Sequence, residues 1–311
     1  MCENISIKKN KDAINALKNA DYDLALELFE QNAEEFPCVL TLNNLAWFLF
    51  YDLRCCVEAK AIIEKAIGFN PDSHFPYAIY GDILLSLGEF EKSVLMYRKA
   101  LEYSEHNTIN HNLALAYNLT GDFAKATTYF TIASNDANET NSNKEHSIYC
   151  LFINLYNWGV FGILKKRMDE FKLEGEDLLL AQLYFGLGDY EKAENYFDEA
   201  FKYYCIEYDW FLQYVYVVFV ESAKAGNIKK GMDLAYKACE IKENELKELK
   251  KELSEIKILN YKEISASEKE IYMKRKEVSA FNKIMLNLEN APPVEFKLDV
   301  RSNQLLDWYL I

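Results

Sequence analysis

The chain repeats itself about every 34 residues. At one position of the repeat stand Ala25, Ala59, Ser93, Ala126 and Ala193, separated by 34, 34, 33 and 67 residues. Four residues on come Phe29, Ile63, Tyr97, Phe130 and Phe197. Three further come Asn32, Ala66, Ala100, Ala133 and Ala200. The gap of 67 is two periods, which predicts a degenerate copy between Ala133 and Ala181. A small–large–small signature recurring at this period is the mark of stacked helical hairpins. A lone hairpin cannot cover its own apolar face, so the copies must stack into a quasi-one-dimensional array.

Two copies carry the pattern in full. One runs Tyr77-Ala78-Ile79-Tyr80-Gly81-Asp82-Ile83-Leu84, then Leu87-Gly88-Glu89-Phe90-Glu91-Lys92-Ser93, then Tyr97 and Ala100. The other has Leu180-Ala181, Tyr184, Leu187-Gly188-Asp189-Tyr190, Ala193, Phe197 and Ala200. A third holds Asn112-Leu113-Ala114, Tyr117, Gly121-Asp122-Phe123, Ala126 and Phe130. Weaker copies begin near Ile7 and Leu40, and a looser one spans Tyr208 to Glu240, with Gly231 and Ala238 at its small positions. Gly81, Ala114 and Ala181 let paired helices approach closely, and the large residue of each copy fills the space between hairpins. Gly88, Gly121 and Gly188 end first helices, and Pro37 and Pro71 follow second helices. Over residues 6–241 the chain resembles the tetratricopeptide repeat family. The resemblance implies an all-α, right-handed superhelical array of about seven antiparallel helix pairs over residues 1–241.

Composition narrows the class. Half the residues are hydrophobic and 27% charged, as in a folded soluble protein. No signal peptide is evident, and the longest apolar run, Trp210 to Val220, is far short of a membrane span. That run is rich in Val and aromatics, yet it falls in the first helix of a repeat and reads as a buried helix. Seven cysteines without regular spacing argue against a disulfide framework and for a cytoplasmic chain. Cys55 and Cys56, in a loop one residue longer than the next repeat's, read as small, half-buried residues. The net charge is −14, yet residues 241–290 carry 11 basic and 10 acidic side chains, so the acidity belongs to the array. That disfavours nucleic acid and anionic membranes and suits a basic or neutral protein or peptide partner. Solubility alone would also account for it.

Three segments depart from the period. Ser134 to Lys144 is polar and aromatic-free and reads as a long loop. It delays the degenerate copy, whose helices are expected near Glu145–Tyr156 and Val160–Leu173 with Trp158-Gly159 between. In residues 242–290, Leu246, Leu249, Leu253 and Ile256 form one short heptad seam. After a capping-box pattern at Ser267 and Glu270, Ile271, Val278, Phe281, Met285 and Leu288 form another. An antiparallel hairpin capping the array fits best; pairing of two copies through 242–311 into a homodimer is the alternative. Residues 291–311, after Pro292-Pro293, alternate like a strand and end in Leu305-Leu306-Asp307-Trp308-Tyr309-Leu310-Ile311. This tail either packs on the hairpin or docks in a groove of its own or another chain.

The motifs of enzymes are missing. The sequence holds no phosphate loop, dinucleotide fingerprint or Cys-x-x-Cys, and His74, His106, His111 and His146 lack metal-ligand spacing. The expectation is therefore no catalysis, no cofactor and no metal. The resemblance instead implies a concave groove lined by first helices at i, i+4, i+7. On this chain those stripes hold Asn43, Trp47 and Phe50; Ala78, Asp82 and Leu85; His111, Leu115 and Asn118; Leu178, Gln182 and Phe185; and Tyr216, Val220 and Ala223. Relatives that clamp chaperone C-terminal carboxylates need Lys followed by Asn on this stripe, which the chain lacks. Groove asparagines such as Asn43 and Asn118 resemble those of peptide-sensing regulators. Entry into the first repeat within about ten residues, without an effector module, counts against that match. The expected function is an adaptor holding a protein or peptide in the groove. An inhibitor of a basic toxin, such as a bacterial immunity protein, and a peptide-sensing regulator are the alternatives.

Overall fold

The computed structural model describes residues 2–135, 141–171, 177–203, 210, 213–218, 229–255 and 272. The described residues are helical and contain no strand. They divide into two compact units that part at Leu173.

The first unit holds five consecutive helix pairs. These are α1 (Cys2–Lys18) with α2 (Tyr22–Glu35), α3 (Val39–Trp47) with α4 (Cys56–Gly68), and α5 (His74–Ser86) with α6 (Phe90–Leu101). Then come α7 (Asn107–Leu119) with α8 (Phe123–Asn135), and α9 (Asn141–Asn157) with α10 (Phe161–Glu170). The second unit holds the pair α11 (Asp177–Gly186) and α12 (Tyr190–Ala200), a helical stretch at 213–218, and α13 (Lys229–Glu255).

The period read from the sequence is the core. The small residues Ala25, Ala59, Ser93, Ala126 and Ala193 are each fully buried, and so are Ile63, Tyr97, Phe130 and Phe197 four positions on. Gly81 shows why the small positions exist. A Cβ placed there would lie 2.6 Å from Cε1 of Tyr97, so only glycine lets α5 meet α6 across this ring. Ser93 uses its small site further, donating a hydrogen bond to the Gly81 carbonyl at 2.9 Å.

The turns within pairs share one device. At Gly88, φ is +77°, and the amides of Gly88 and Glu89 donate to the carbonyls of Leu85 and Leu84 at 3.1 and 2.8 Å. This left-handed closure satisfies carbonyls that the helix end would otherwise leave bare. The same pair of bonds recurs at Gly121, Gly159 and Gly188. In the first pair Ala20 does the job at φ +57°, a conformation that disfavours any residue with a Cβ. Asp21 and Asp189, which follow these turns, cap the next helices by accepting from the amides of Leu24 and Lys192.

The degenerate copy is α9 and α10, joined at Trp158-Gly159 as expected, with Gly159 at φ +78°. Its buried pair on the second helix is Leu164 and Met168, so a bulky residue replaces the small one and hides the period. The polar stretch from Ser134 to Lys144 is a correction: α8 runs on to Asn135 and α9 begins at Asn141, so both of its ends are helical. Polar residues gave no apolar stripe there from which to read a helix.

The apolar run beginning at Trp210 is helical at 213–218, with Tyr214, Val215, Val217 and Val218 buried. Tertiary burial overrides the strand preference of its valines. On α13, Gly231 and Ala238 are buried as the small positions of a repeat require, and the helix continues unbroken to Glu255. Of the second helix expected at 267–290 Tyr272 alone is described, and it is helical; the tail at 291–311 and any pairing of copies through these segments lie outside the described residues.

Candidate functional site

The first helices of the first unit, α1, α3, α5, α7 and α9, are joined by polar side chains about one repeat apart. Asn44 on α3 donates to Asn10 on α1 at 2.7 Å. Asn112 on α7 donates to the Asp82 carboxylate on α5 at 2.8 Å, and Tyr51, in the turn that follows α3, donates to its other oxygen. Between α7 and α9, His111 meets Ser147 at 2.9 Å, and Asn118 donates to Asn154 at 2.8 Å. These contacts form a ladder. Each rung spans 30 to 36 residues of sequence, so it exists only when consecutive repeats are stacked.

Asp82 is the most heavily used rung. Beyond Tyr51 and Asn112 it accepts from the Tyr97 hydroxyl at 2.5 Å, so one carboxylate joins three repeats. It is 5% exposed. Burial pushes its carboxyl up to about 6, against the pull of the three donors. Burial, together with the charge of Asp82, also raises the hydroxyls of Tyr51 and Tyr97 well above the usual phenol range. These two stay protonated and keep donating.

Of the stripe residues read from the sequence, the structure therefore places most inside the array. Asp82 and Asn118 are committed to the ladder, and His111 is buried against Ser147 and the edge of Phe130 at 5.5 Å. Leu85 is 2% exposed. Phe50 is buried for a different reason. The residue that lengthens the loop before Cys55 is absorbed as a π-helical turn, Phe48–Asp52, in which the amide of Leu53 reaches back five residues to the Phe48 carbonyl at 3.2 Å. The wider turn rotates Phe50 into the core and brings Tyr51 beneath Trp47, with ring centroids 5.5 Å apart. The i, i+4, i+7 spacing fails at that turn.

Among the large apolar stripe residues of this unit, the one that stays exposed lies on α3. Trp47 is 38% exposed and rests on Tyr51, whose hydroxyl is pinned by Asp82. One turn earlier, the half-buried Asn43 has a side-chain carbonyl that is buried without a hydrogen-bond partner. An exposed aromatic platform beside a half-buried amide suits an extended chain, whose side chains can stack on the ring.

In the second unit the stripe residues gather about Tyr190. Phe185 and Tyr216 meet edge to face at 5.8 Å, and Tyr190 contacts both at 5.8 and 5.9 Å. Phe185 is buried, while Gln182 and Tyr216 are half-buried.

Sequence reasoning missed Tyr51, Asn112, Ser147 and Asn154. The available signal was the recurrence of polar residues at 30 to 36 positions on helices that otherwise read as apolar. It missed a gathering of His111, His146 and Cys150 as well, whose ligand atoms all lie within 4.8 Å of one another. Burial lowers both imidazoles, His111 to about 4 and His146 to about 2, the latter helped by His111, and raises the Cys150 thiol.

Comparison with known proteins agrees with this architecture. The family profile described as Tetratricopeptide repeat matches residues 76–107 and 178–204. No curated protein matches the sequence. Among solved structures, PilW, described as a widely conserved type IV pilus biogenesis factor, is similar at 20% identity and a TM-score of 0.53, over 64% of this chain and 95% of that one. A tetratricopeptide repeat protein from Parabacteroides merdae is similar at 16% identity and a TM-score of 0.53, over 75% and 91%. PilF of Pseudomonas aeruginosa is similar at 17% identity and a TM-score of 0.52, over 68% and 96%. At these identities the likeness is one of fold.

Proposed function

We propose that this chain, whose repeats at 76–107 and 178–204 match the tetratricopeptide repeat, is an interaction scaffold that holds a protein or extended peptide against the first-helix face of its first unit, centred on α3. The carrying observation is Trp47, exposed on a helix whose neighbours along the stripe are closed by the polar ladder. The ladder fixes Tyr51, Tyr51 supports Trp47, and the amide of Asn43 lies one turn away. An aromatic held in place from beneath and still exposed is the kind of residue on which interfaces concentrate their energy. The acidity of the repeats favours a partner that is basic or neutral. Catalysis plays no part in this reading, and the proposed setting is the cytoplasm.

The test is affinity purification from the native host with three baits: the wild-type chain, Trp47→Ala, and Leu95→Ala, which changes an exposed apolar residue on the second helix α6. A partner retained by wild type and Leu95→Ala and lost from Trp47→Ala supports the reading. Equal recovery by all three places the partner elsewhere.

A further inference from the structure

We propose that His111, His146 and Cys150 form a binding site for one soft monovalent metal ion, Cu(I), held between α7 and α9. Two imidazoles and a thiol converge in a place where at least two of the three side chains are buried, with all ligand atoms within 4.8 Å of each other. The Cys150 sulfur is already 3.4 Å from Nε2 of His146. Ligands bonded to one ion at roughly 2.0–2.3 Å stand roughly 3.5–4 Å apart, so the trio is near the separation a shared ion needs.

The supporting contacts are those of a metal site. A ring nitrogen of His111 meets the Ser147 hydroxyl at 2.9 Å, the outer contact that orients a ligating imidazole. Phe130 stands edge-on to His111 at 5.5 Å, and Tyr149 stacks on His146 at 5.9 Å, which fixes both rings. His146 is half-buried, so the ion has a route in from the α9 side. His146 and Cys150 sit four residues apart on one helix face, and stacking against the preceding repeat supplies His111.

Charge selects the ion. Binding releases the Cys150 proton to solvent and moves no electron, leaving one thiolate and two neutral imidazoles. With Cu(I) the centre is neutral; with a divalent ion it keeps a net positive charge in a buried place, which is costly. Thiolate and imidazole donors without a carboxylate also exclude magnesium and calcium. This site is independent of Trp47, so its failure would leave the partner-binding reading untouched.

The full-length chain, reduced and metal-free, is titrated anaerobically with Cu(I) against a chromophoric Cu(I) chelator that strips weakly held copper. The expected result is one tightly held equivalent, an X-ray absorption spectrum with one sulfur and two nitrogen ligands, and a raised melting temperature. Cys150→Ser and His146→Gln should each lose that equivalent while keeping the helical circular dichroism, and Cys38→Ser should keep it. His146→Gln separates this site from copper bound by thiols alone. No tight equivalent, an equivalent that survives both substitutions, an unmoved wild-type melting temperature, or selective binding of Zn(II) over Cu(I) would overturn the assignment.

Discussion

Asp82 brings a carboxylate into the core of the first unit and surrounds it with two phenols and an amide. Three donors offset its desolvation only in part, which is why its carboxyl sits near 6. The unfolded chain ionises the same group near 3.8, so between about pH 4 and 6 the folded chain holds a proton that the unfolded chain has lost. Stability from this group is full below that window and is lost as pH rises through it, by at most about 1.4 kcal/mol per pH unit. Urea unfolding at pH 5 and pH 7 should show wild type losing stability relative to Asp82→Asn as pH rises; a constant difference would contradict the assignment. Tyr97→Phe removes a donor to a buried acid and should cost roughly 1.5–3 kcal/mol at pH 7 in the same assay. Reversing the charge at Asp82 would test folding, since its side chain is enclosed. None of this was legible in the sequence: Asp82 lay at a helical position that an open groove would expose, and its partners lie 15 to 31 residues away.

At the scale of elements the sequence was most readable where one residue type does one steric task. Gly81 is small because Tyr97 is large and fully buried. Its Tyr97 partner is tied down by the Asp82 hydrogen bond, so the ring cannot yield. Gly81→Ala should therefore destabilise by about 1–3 kcal/mol, and an unchanged melting temperature would show that α5 and α6 can separate cheaply. The reverse case is Ala20, left-handed where the later repeats use glycine. Ala20→Gly should raise stability by up to about 1 kcal/mol, as strain relief exceeds the added chain entropy. The same melting curves would check it. Harder to read was any element that kept its fold while changing its residue types. The π-helical turn at Phe48–Asp52 left one extra residue in the spacing as its trace, and that residue moved Tyr51 into the place assigned to Phe50. In α10 the pair Leu164 and Met168 erased the small–large pattern, although Gly159 still marked the turn.

At the scale of the whole molecule, each repeat contributes a hairpin whose apolar face is covered only by its neighbours, and the ladder binds successive first helices of the first unit together. The hairpin cores follow from local periodicity and were legible. The ladder depends on which polar groups face each other after stacking, and that is a property of no single repeat. The groove inferred from family resemblance is consequently narrower in use: Asn118, Asp82 and His111 hold the scaffold, and Trp47 with Asn43 remains to meet a partner. If α3 is that meeting place, removing the indole should weaken binding of an isolated partner by at least roughly 30-fold, the range of an interface hot spot. Hydrogen–deuterium exchange of the partner complex measures this most directly. The account predicts slowed exchange confined to first helices, strongest across Val39–Trp47 and extending to α5, with α4 and α6 unchanged. Protection on α4 and α6 with none on α3 would contradict it.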